Sequence, residues 1–383
     1  MMKIALVHDW LPVFSGAEQV LSAIIQSTGP IDLYTLFNFL DDGDLKKIGA
    51  KEIFTSYLDR LPFRENYYRY TFPFCPAAIE NFDLADYDLV LSSSAAFAKG
   101  VIVHPHQRHI AYVHTAVRYA WDQTFEYMRR TAMSRLPFGP ILRQSLHKLR
   151  IWDFRSAQGA DVLLANSSVI QRRIEQIYGR RSYVLHPPVD VGSFPMQPEK
   201  DDYYVCASRL VPYKRFDLVV DAFKDMPNRK LIVCGDGPEL NRLKERAGPN
   251  VTFAGHLPRA DLIRTISHAR AFIFPAYEDF GIVMAEALSS GTPVIAFKRG
   301  GAQDIVVPHG EPDATGVLFP TQTAKAIIDA VDTFESARSA FSPEACHTRA
   351  NLFASHNFNR KLDQFIALTM DRNFSRNDVL MVN

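Results

Sequence analysis

Short apolar runs alternate with amphipathic stretches along the whole chain. The first run, Lys3–Val7, reads as a buried strand, followed by a loop through Gly16 and a helix from Glu18 to about Gln26. Further runs at Ile31–Leu36, Leu89–Ser92, His109–Val113, Val162–Ala165 and Ser182–Leu185 read the same way. Strands this short, apolar throughout and separated by helical stretches, predict parallel βαβ units. Around Pro187–Asp202 the chain turns rich in proline, charge and turn residues (PPVDVGSFPMQPEKDD), as a linker would. The pattern then resumes with Tyr203–Ala207, Leu231–Cys234, Val251–Ala254, Ala271–Phe274, Val294–Ala296 and Gly316–Leu318. The expectation is an α/β chain in two halves of similar architecture, 1–195 and 196–350, followed by 351–383. No residue-level repeat relates the halves. In parallel open sheets ligands bind beyond the carboxyl ends of the strands, so the chemistry-bearing motifs should lie there.

Composition narrows the class. At 383 residues the length suits two to three domains, and 47% hydrophobic residues are enough for packed cores. A net charge of +1 argues against a molecule built to bind polyanions. The four cysteines are scattered without a C-x-x-C spacing, which suits a reduced, cytoplasmic setting. The opening MMKIALVHDW reads as a first strand and not as a signal peptide, and no uninterrupted apolar window reaches about 18 residues, the span of a membrane helix.

The most informative segment is 273–291, IFPAYEDFGIVMAEALSSG. Glu278 and Glu286 are separated by seven residues, with Phe280-Gly281-Ile282 between them. An apolar run precedes them and an apolar-periodic run ending at Gly291 follows, so Glu278 falls on a strand-to-helix loop and Glu286 on the helix. Free N–H groups at such a helix start attract phosphate, and a neighbouring carboxylate can hold sugar hydroxyls. A surface loop with two solvated glutamates would share the bare spacing. With its flanks, the segment resembles the E-x7-E signature of retaining glycosyltransferases with two Rossmann-like domains (the GT-B fold), specifically the family 4 group. The resemblance is strongest over 203–320 and weaker over 1–200. It implies two Rossmann-like domains facing a cleft and a C-terminal helix, near Asn359–Thr369, that crosses back to the first domain. The last ten residues read as frayed.

Other motifs take their meaning from this one. Arg209 and Lys214, in SRLVPYKRFD, follow the first strand of the second half. An arginine fork and a lysine point charge there can reach one diphosphate, and the resemblance puts the donor diphosphate there. A solvated basic pair is the plain alternative. Gly16 lets the backbone approach a phosphate or sugar at the first helix, although related enzymes often carry two glycines where this chain has Ser15-Gly16. Gly235-Asp236-Gly237-Pro238-Glu239 lacks the third glycine of a dinucleotide fingerprint and reads as a turn shaping the nucleotide pocket, with His256-Leu257 nearer the base. Gly300-Gly301-Ala302-Gln303-Asp304 carries Asp where related enzymes often carry Glu.

His104, His106, His109 and His114 fall within eleven residues, but their spacing matches no common metal-ligand pattern and no cysteine joins them. His114 ends a strand and opens HTAVRYAWD, which resembles the family segment H-T-P-x-R-Y-x-W-D with Ala116 in place of Pro. The resemblance implies that His114 reaches the donor sugar near the transferred carbon, as a neutral imidazole. It implies that Arg118, Tyr119, Trp121 and Asp122 line the acceptor side. A structural histidine is the alternative.

Basic and aromatic residues interleave in two places. Between Leu61 and Phe74 stand Phe63, Tyr67, Tyr68, Tyr70, Phe72 and Phe74 with Arg64 and Arg69, just after Arg60. Between Arg129 and Arg155 stand seven basic residues and one acid, Asp153, with Leu142, Leu146 and Leu149 at helical spacing. An anionic membrane interface suits this composition, as does a solvated helix face. The expectation is therefore a retaining, metal-independent transferase without a cofactor. The resemblance implies that His114 and Glu278 act in catalysis and that Gly16, Arg118, Arg209, Lys214, Phe280, Gly281, Ile282 and Glu286 bind substrate. HTAVRYAWD and KIALVHDWL look closest to bacterial O-antigen and exopolysaccharide mannosyltransferases. That likeness implies GDP-mannose as donor, a polyprenyl-diphosphate-linked saccharide as acceptor, no nucleic acid, and peripheral contact with the inner face of the cell membrane. A UDP-sugar transferase, a nucleotide-sugar epimerase, a non-catalytic nucleotide-binding scaffold and an NAD oxidoreductase are the rivals.

Overall fold

The computed structural model describes residues 2–130, 138–371 and 374–375. The frayed-tail expectation and Arg135 of the basic stretch lie outside the described residues. The chain divides into two compact units, Met1–His186 with Phe358–Asn383, and Pro187–Asn357. The change from one to the other comes where the proline-rich segment begins.

The first unit is a seven-stranded parallel sheet. Its strands are β1 (Ile4–His8), β2 (Asp32–Thr35), β3 (Ile53–Thr55), β4 (Leu89–Ser94), β5 (Arg108–Val113), β6 (Val162–Ala165) and β7 (Tyr183–Val184), in the order β3-β2-β1-β4-β5-β6-β7. Alternate residues of β1 explain why its run is apolar throughout. Ile4 and Leu6 pack on one face with Val20, Leu21 and Ile24 of the helix Gly16–Thr28. Ala5 and Val7 pack on the other face with Phe37, Phe97, Leu142, Leu146 and Leu149. A strand covered on both sides has no polar face to show in sequence. The three leucines at helical spacing are the buried stripe of the helix Gly139–Gly159.

The C-terminal helix Ser355–Thr369 belongs to this unit from Phe358 onward. It buries Phe358, Leu362, Phe365 and Ile366 against the face that carries Ile4 and Leu6. Among the described residues the one strand absent from the sequence reading is β3. It is a three-residue edge strand, partly exposed, in a stretch (KEIFTS) with no apolar run.

The second unit is a six-stranded parallel sheet of β8 (Tyr204–Ala207), β9 (Leu231–Cys234), β10 (Val251–Gly255), β11 (Ala271–Phe274), β12 (Val294–Phe297) and β13 (Gly316–Phe319), in the order β10-β9-β8-β11-β12-β13. Tyr204 and Cys206 face one layer of helices, and Val205 and Ala207 face the other. Each sheet reverses its strand order once, between β1 and β4 in the first unit and between β8 and β11 in the second. At such a reversal the loops leave the sheet in opposite directions and open a crevice at the strand ends.

Candidate functional site

In the second unit the loops at the reversal carry the predicted residues. After β8 the chain runs through Arg209 and a single turn, Pro212–Lys214, before the helix Phe216–Lys224. Arg215 holds left-handed φ of 58° at that junction and pairs with its neighbour Asp217, so its charge is spent locally. Arg209 is exposed, and among the described residues it pairs with no carboxylate. Lys214 is ion-paired with Glu278, which leaves β11 on the neighbouring loop. Its ammonium also lies 6.0 Å from the Phe274 ring centroid. The turn at Gly235–Glu239 braces this loop: Leu210 donates from its N–H to the Asp236 carbonyl (2.9 Å), and Glu239 donates to the Leu210 carbonyl (3.2 Å). The glycine pair there shapes the Arg209 loop from behind.

After β11 the chain passes Glu278 and Phe280 and starts the helix Ile282–Ser289 at Gly281. Gly281 is the residue before the first helical turn, with φ of 91°, and no side chain caps the N–H groups that follow. Those groups are the ones a phosphate would use. Phe280 is buried against Phe353, with ring centroids 5.5 Å apart, and Ile282 is half-buried at the helix start. Both hold the turn from beneath.

Glu286 lies one turn into the helix, 6% exposed, and accepts from Arg259 Nη2 at 2.8 Å. Burial pushes its carboxyl above the usual range and the Arg259 guanidinium opposes that shift. Arg259 itself rests on the Phe194 ring, 4.8 Å from its centroid. From β12, Gly301 N–H donates to the Glu278 carbonyl at 2.9 Å. A Cβ on Gly300 would lie 2.0 Å from that same oxygen, and one on Gly301 would lie 2.2 Å from the Phe280 oxygen. Only glycines allow the β12 loop to hold Glu278 this closely. Asp304 lies in the short helix Ala302–Ile305 that follows.

In the first unit the strand ends at the reversal carry a polar network that the sequence reading found only in part. His114 follows β5 directly, and its Nε2 is 2.7 Å from Ser93 Oγ on β4. Ser93 Oγ is in turn 3.2 Å from Nδ1 of His8, the last residue of β1. His8 Nε2 lies 3.8 Å from Glu18, whose carboxylate accepts from the Ser15 N–H (2.9 Å) and hydroxyl (2.8 Å). Gly16 thus starts the first helix between two residues of this network. Burial and the neighbouring His8 push His114 down to about 4, so its imidazole is neutral near pH 7. Burial opposes the Glu18 carboxylate, but bonding to His8 and Ser15 outweighs it and holds Glu18 below its usual pKa.

Asp9 is buried beside this network and accepts four N–H groups, from Ala95, Ala96, Phe97 and Ala98, at 2.5–2.8 Å. It ties the ends of β1 and β4 together. Of these partners, Glu18 was legible in advance, because Ser15-x-x-Glu18 is a capping-box spacing. His8, Asp9 and Ser93 carry no such signal.

The segment after His114 is largely bound into the unit. Trp121 Nε1 donates to Asp153 (2.7 Å), a buried carboxylate that also accepts from Lys99 (2.5 Å) and Tyr178 (2.9 Å). Asp122 takes a two-pronged bond from Arg173 at 2.6 and 3.0 Å. Arg118 and Tyr119 are half-buried in the same turn, Tyr119 against Phe72. The histidine cluster is dispersed. His104 and His106 stack on each other at the surface, while His109 is buried on β5 with Nε2 2.8 Å from Ser92 Oγ. Among the described residues no three His, Cys, Asp or Glu side chains gather as a metal site needs.

The basic, aromatic stretches of this unit present a mixed surface. Arg60, Phe63, Arg69, Tyr70 and Phe74 are exposed, Phe63 to 81%. The outer side of the helix Gly139–Gly159 exposes Ile141, Arg143, Lys148, Ile151, Phe154 and Arg155. Among the described residues no helix is long and apolar enough to cross a membrane.

Comparison with known proteins gives this geometry a lineage. In fold, the chain is similar to an Anabaena protein, Alr3699/HepE, solved in complex with UDP and glucose (TM-score 0.69, 19% identity, 96% of this chain and 100% of that one). It is equally similar to sucrose-phosphate synthase from Thermosynechococcus elongatus (TM-score 0.69, 18% identity, 96% and 98%). Both sheets are thus Rossmann-like, and the fold is the two-domain one expected from the sequence. In sequence, it is 33% identical over 210 residues to a GDP-mannose-dependent monoacylated alpha-(1-6)-phosphatidylinositol monomannoside mannosyltransferase of Corynebacterium glutamicum, covering 47% of this chain and 52% of that protein. It is 29% identical over 193 residues to the human GDP-Man:Man(3)GlcNAc(2)-PP-Dol alpha-1,2-mannosyltransferase, covering 43% and 39%. The chain spans about half the length, or less, of the curated relatives it matches. Residues 194–351, nearly all of the second unit, match the family Glycosyl transferases group 1.

Proposed function

We propose that this protein is a retaining glycosyltransferase that moves mannose from GDP-mannose to a polyprenyl-diphosphate-linked saccharide. It would act in surface polysaccharide synthesis at the inner face of the cell membrane. The observation that carries the reading is the pairing of Lys214 with Glu278 across the reversal of the second sheet, with Arg209 and the uncapped start at Gly281 on the same two loops. Cations suited to a diphosphate and a carboxylate suited to sugar hydroxyls are held side by side. The matched family supports transfer of a sugar. The activities of the relatives in sequence support GDP-mannose and a lipid-borne acceptor.

In this reading Arg209 and Lys214 neutralise the leaving diphosphate, helped by the N–H groups after Gly281 and at Gly16. They act where charge develops in the transition state. With those cations the leaving group needs no metal. Glu286 holds the ribose and Glu278 orients the sugar hydroxyls, while Phe280 and Ile282 keep the turn in place. The first unit supplies His114, Arg118 and the acceptor surface. The acceptor hydroxyl attacks from the face the diphosphate leaves, and a phosphate oxygen takes its proton. The exposed basic and aromatic residues of the first unit suit an anionic lipid surface.

Thermal unfolding with GDP, UDP, ADP and NAD at equal concentration, on wild type and Arg209→Ala, tests the donor. A ligand at about 100 times its Kd adds roughly 2.7 kcal/mol, which a melting curve resolves. Stabilisation by GDP, lost in Arg209→Ala, is the expected result. Stabilisation by UDP in its place overturns the mannose assignment, and no response to any nucleotide favours a non-catalytic scaffold.

A further inference from the structure

The polar network behind His114 has a definite direction. His8 Nδ1 lies 3.0 Å from the Ser93 carbonyl oxygen. A carbonyl only accepts, so His8 Nδ1 carries a hydrogen, which Ser93 Oγ at 3.2 Å shares. On its other side His8 Nε2 faces the Glu18 carboxylate, again an acceptor. Ser93 Oγ therefore receives from His8 and cannot donate to it. Among the described residues that hydroxyl otherwise meets only His114 Nε2, at 2.7 Å. The Ser93 hydrogen has one place to go, and His114 Nε2 must accept it.

We infer that Ser93, oriented by His8 and Glu18, is a positioning residue that locks neutral His114 with its hydrogen on Nδ1. His114 Nδ1 makes no hydrogen bond among the described residues. The ring thus offers its environment a donor and not a base. A neutral imidazole with a free N–H can hold a sugar oxygen, whereas one with a free lone pair would take a proton from an incoming hydroxyl. The chain Glu18–His8–Ser93–His114 sets that choice with residues on the first helix, β1, β4 and the end of β5. A second-layer partner that fixes a tautomer is a familiar device where a histidine must present one particular nitrogen. As a statement about catalysis this rests on the proposed sugar transfer; as a statement about the tautomer it does not.

The test is long-range ¹H–¹⁵N correlation on protein labelled at its histidine rings, at neutral pH, with His114 assigned by His114→Gln. The expected wild-type pattern is protonated Nδ1 and bare Nε2. Ser93→Ala is expected to mix the two tautomers and Ser93→Thr to restore the first. Wild-type His114 with its hydrogen on Nε2, or a tautomer unmoved by Ser93→Ala, overturns the inference, and the wild-type spectrum decides even if the variant fails to fold. With transfer assayed in parallel, Ser93→Ala is expected to lower kcat about tenfold, the size of one lost hydrogen bond, with donor KM unchanged and Thr restoring it. An absent transferase activity with the expected spectrum would sink the proposed function and leave the lock standing.

Discussion

Lys214 and Glu278 form an ion pair between the loops that leave β8 and β11, the two strands at which the second sheet reverses its order. Both side chains are largely shielded, and Gly301 fixes the Glu278 backbone from the third loop, after β12. In the proposed function the pair holds two opposite charges ready for the two halves of a sugar nucleotide. Removing either partner is expected to separate those halves. Glu278→Gln should lower turnover at least a hundredfold, the scale of losing a preorganised contact at the reacting centre, while GDP still raises the melting temperature. Lys214→Ala should weaken the GDP-induced shift itself. Wild-type turnover in Glu278→Gln would remove Glu278 from the mechanism.

The glycines around this pair are expected to be intolerant for two different reasons. At Gly281 φ is 91°, and a Cβ would come within 2.5 Å of Met284 Cε, the far end of a flexible chain. Gly281→Ala therefore pays mainly in backbone strain, about 1–2 kcal/mol. At Gly300 the obstacle is the Glu278 carbonyl oxygen at 2.0 Å, which cannot move without taking Glu278 along. Gly300→Ala is expected to abolish transfer even where urea denaturation finds a folded protein. Equal activity in the two variants would refute the distinction.

Acid should destabilise the first unit through buried histidine. His109 sits in β5 with Nδ1 lacking a partner among the described residues, and burial pushes its pKa from the usual 6.5 down to about 4. The unfolded chain then takes up the proton first as pH falls. Stability is complete above pH 6.5 and declines between 6.5 and 4, by up to about 3 kcal/mol for this one group. His114 moves the same way. Urea midpoints at pH 7.5, 5.5 and 4 should therefore fall more steeply for wild type than for His109→Asn. Parallel declines would show that His109 carries none of the effect.

Lys99 and Asp153 form a fully buried ion pair at 2.5 Å, with Trp121 and Tyr178 satisfying the same carboxylate. Breaking one side leaves a charge in the core, at a cost of about 3–5 kcal/mol. Lys99→Met is expected to lose that much in urea unfolding. The double variant Lys99→Met with Asp153→Asn should recover a large part of it. A Lys99→Met protein as stable as wild type would mean the pair contributes nothing to the fold.

The exposed aromatic residues of the first unit are expected to serve lipid contact. Phe63→Ser with Phe74→Ser should reduce sedimentation with anionic phosphatidylglycerol vesicles without altering the melting temperature, because both side chains stand in solvent. Raising salt should weaken wild-type binding through the neighbouring arginines. Unchanged vesicle binding in the double variant would direct attention to another surface.

Among the described residues twelve of the thirteen strands were legible because parallel strands covered on both faces leave uninterrupted apolar runs, as at Leu231–Cys234 and Ala271–Phe274. The edge strand β3 left none, since none of its three residues is buried and Phe54 is exposed. The Glu278–Glu286 segment was legible because one loop and one helix carry it, so local spacing suffices. What the sequence alone could not supply were the partners. Lys214 meets Glu278, and His8 and Ser93 stand behind His114, only because β8 adjoins β11 and β4 lies between β1 and β5; Arg259 meets Glu286 from the start of the helix that leads from β10 to β11. Strand order is fixed by long-range packing, and a hydrogen bond or ion pair between distant residues exists only once that order is set.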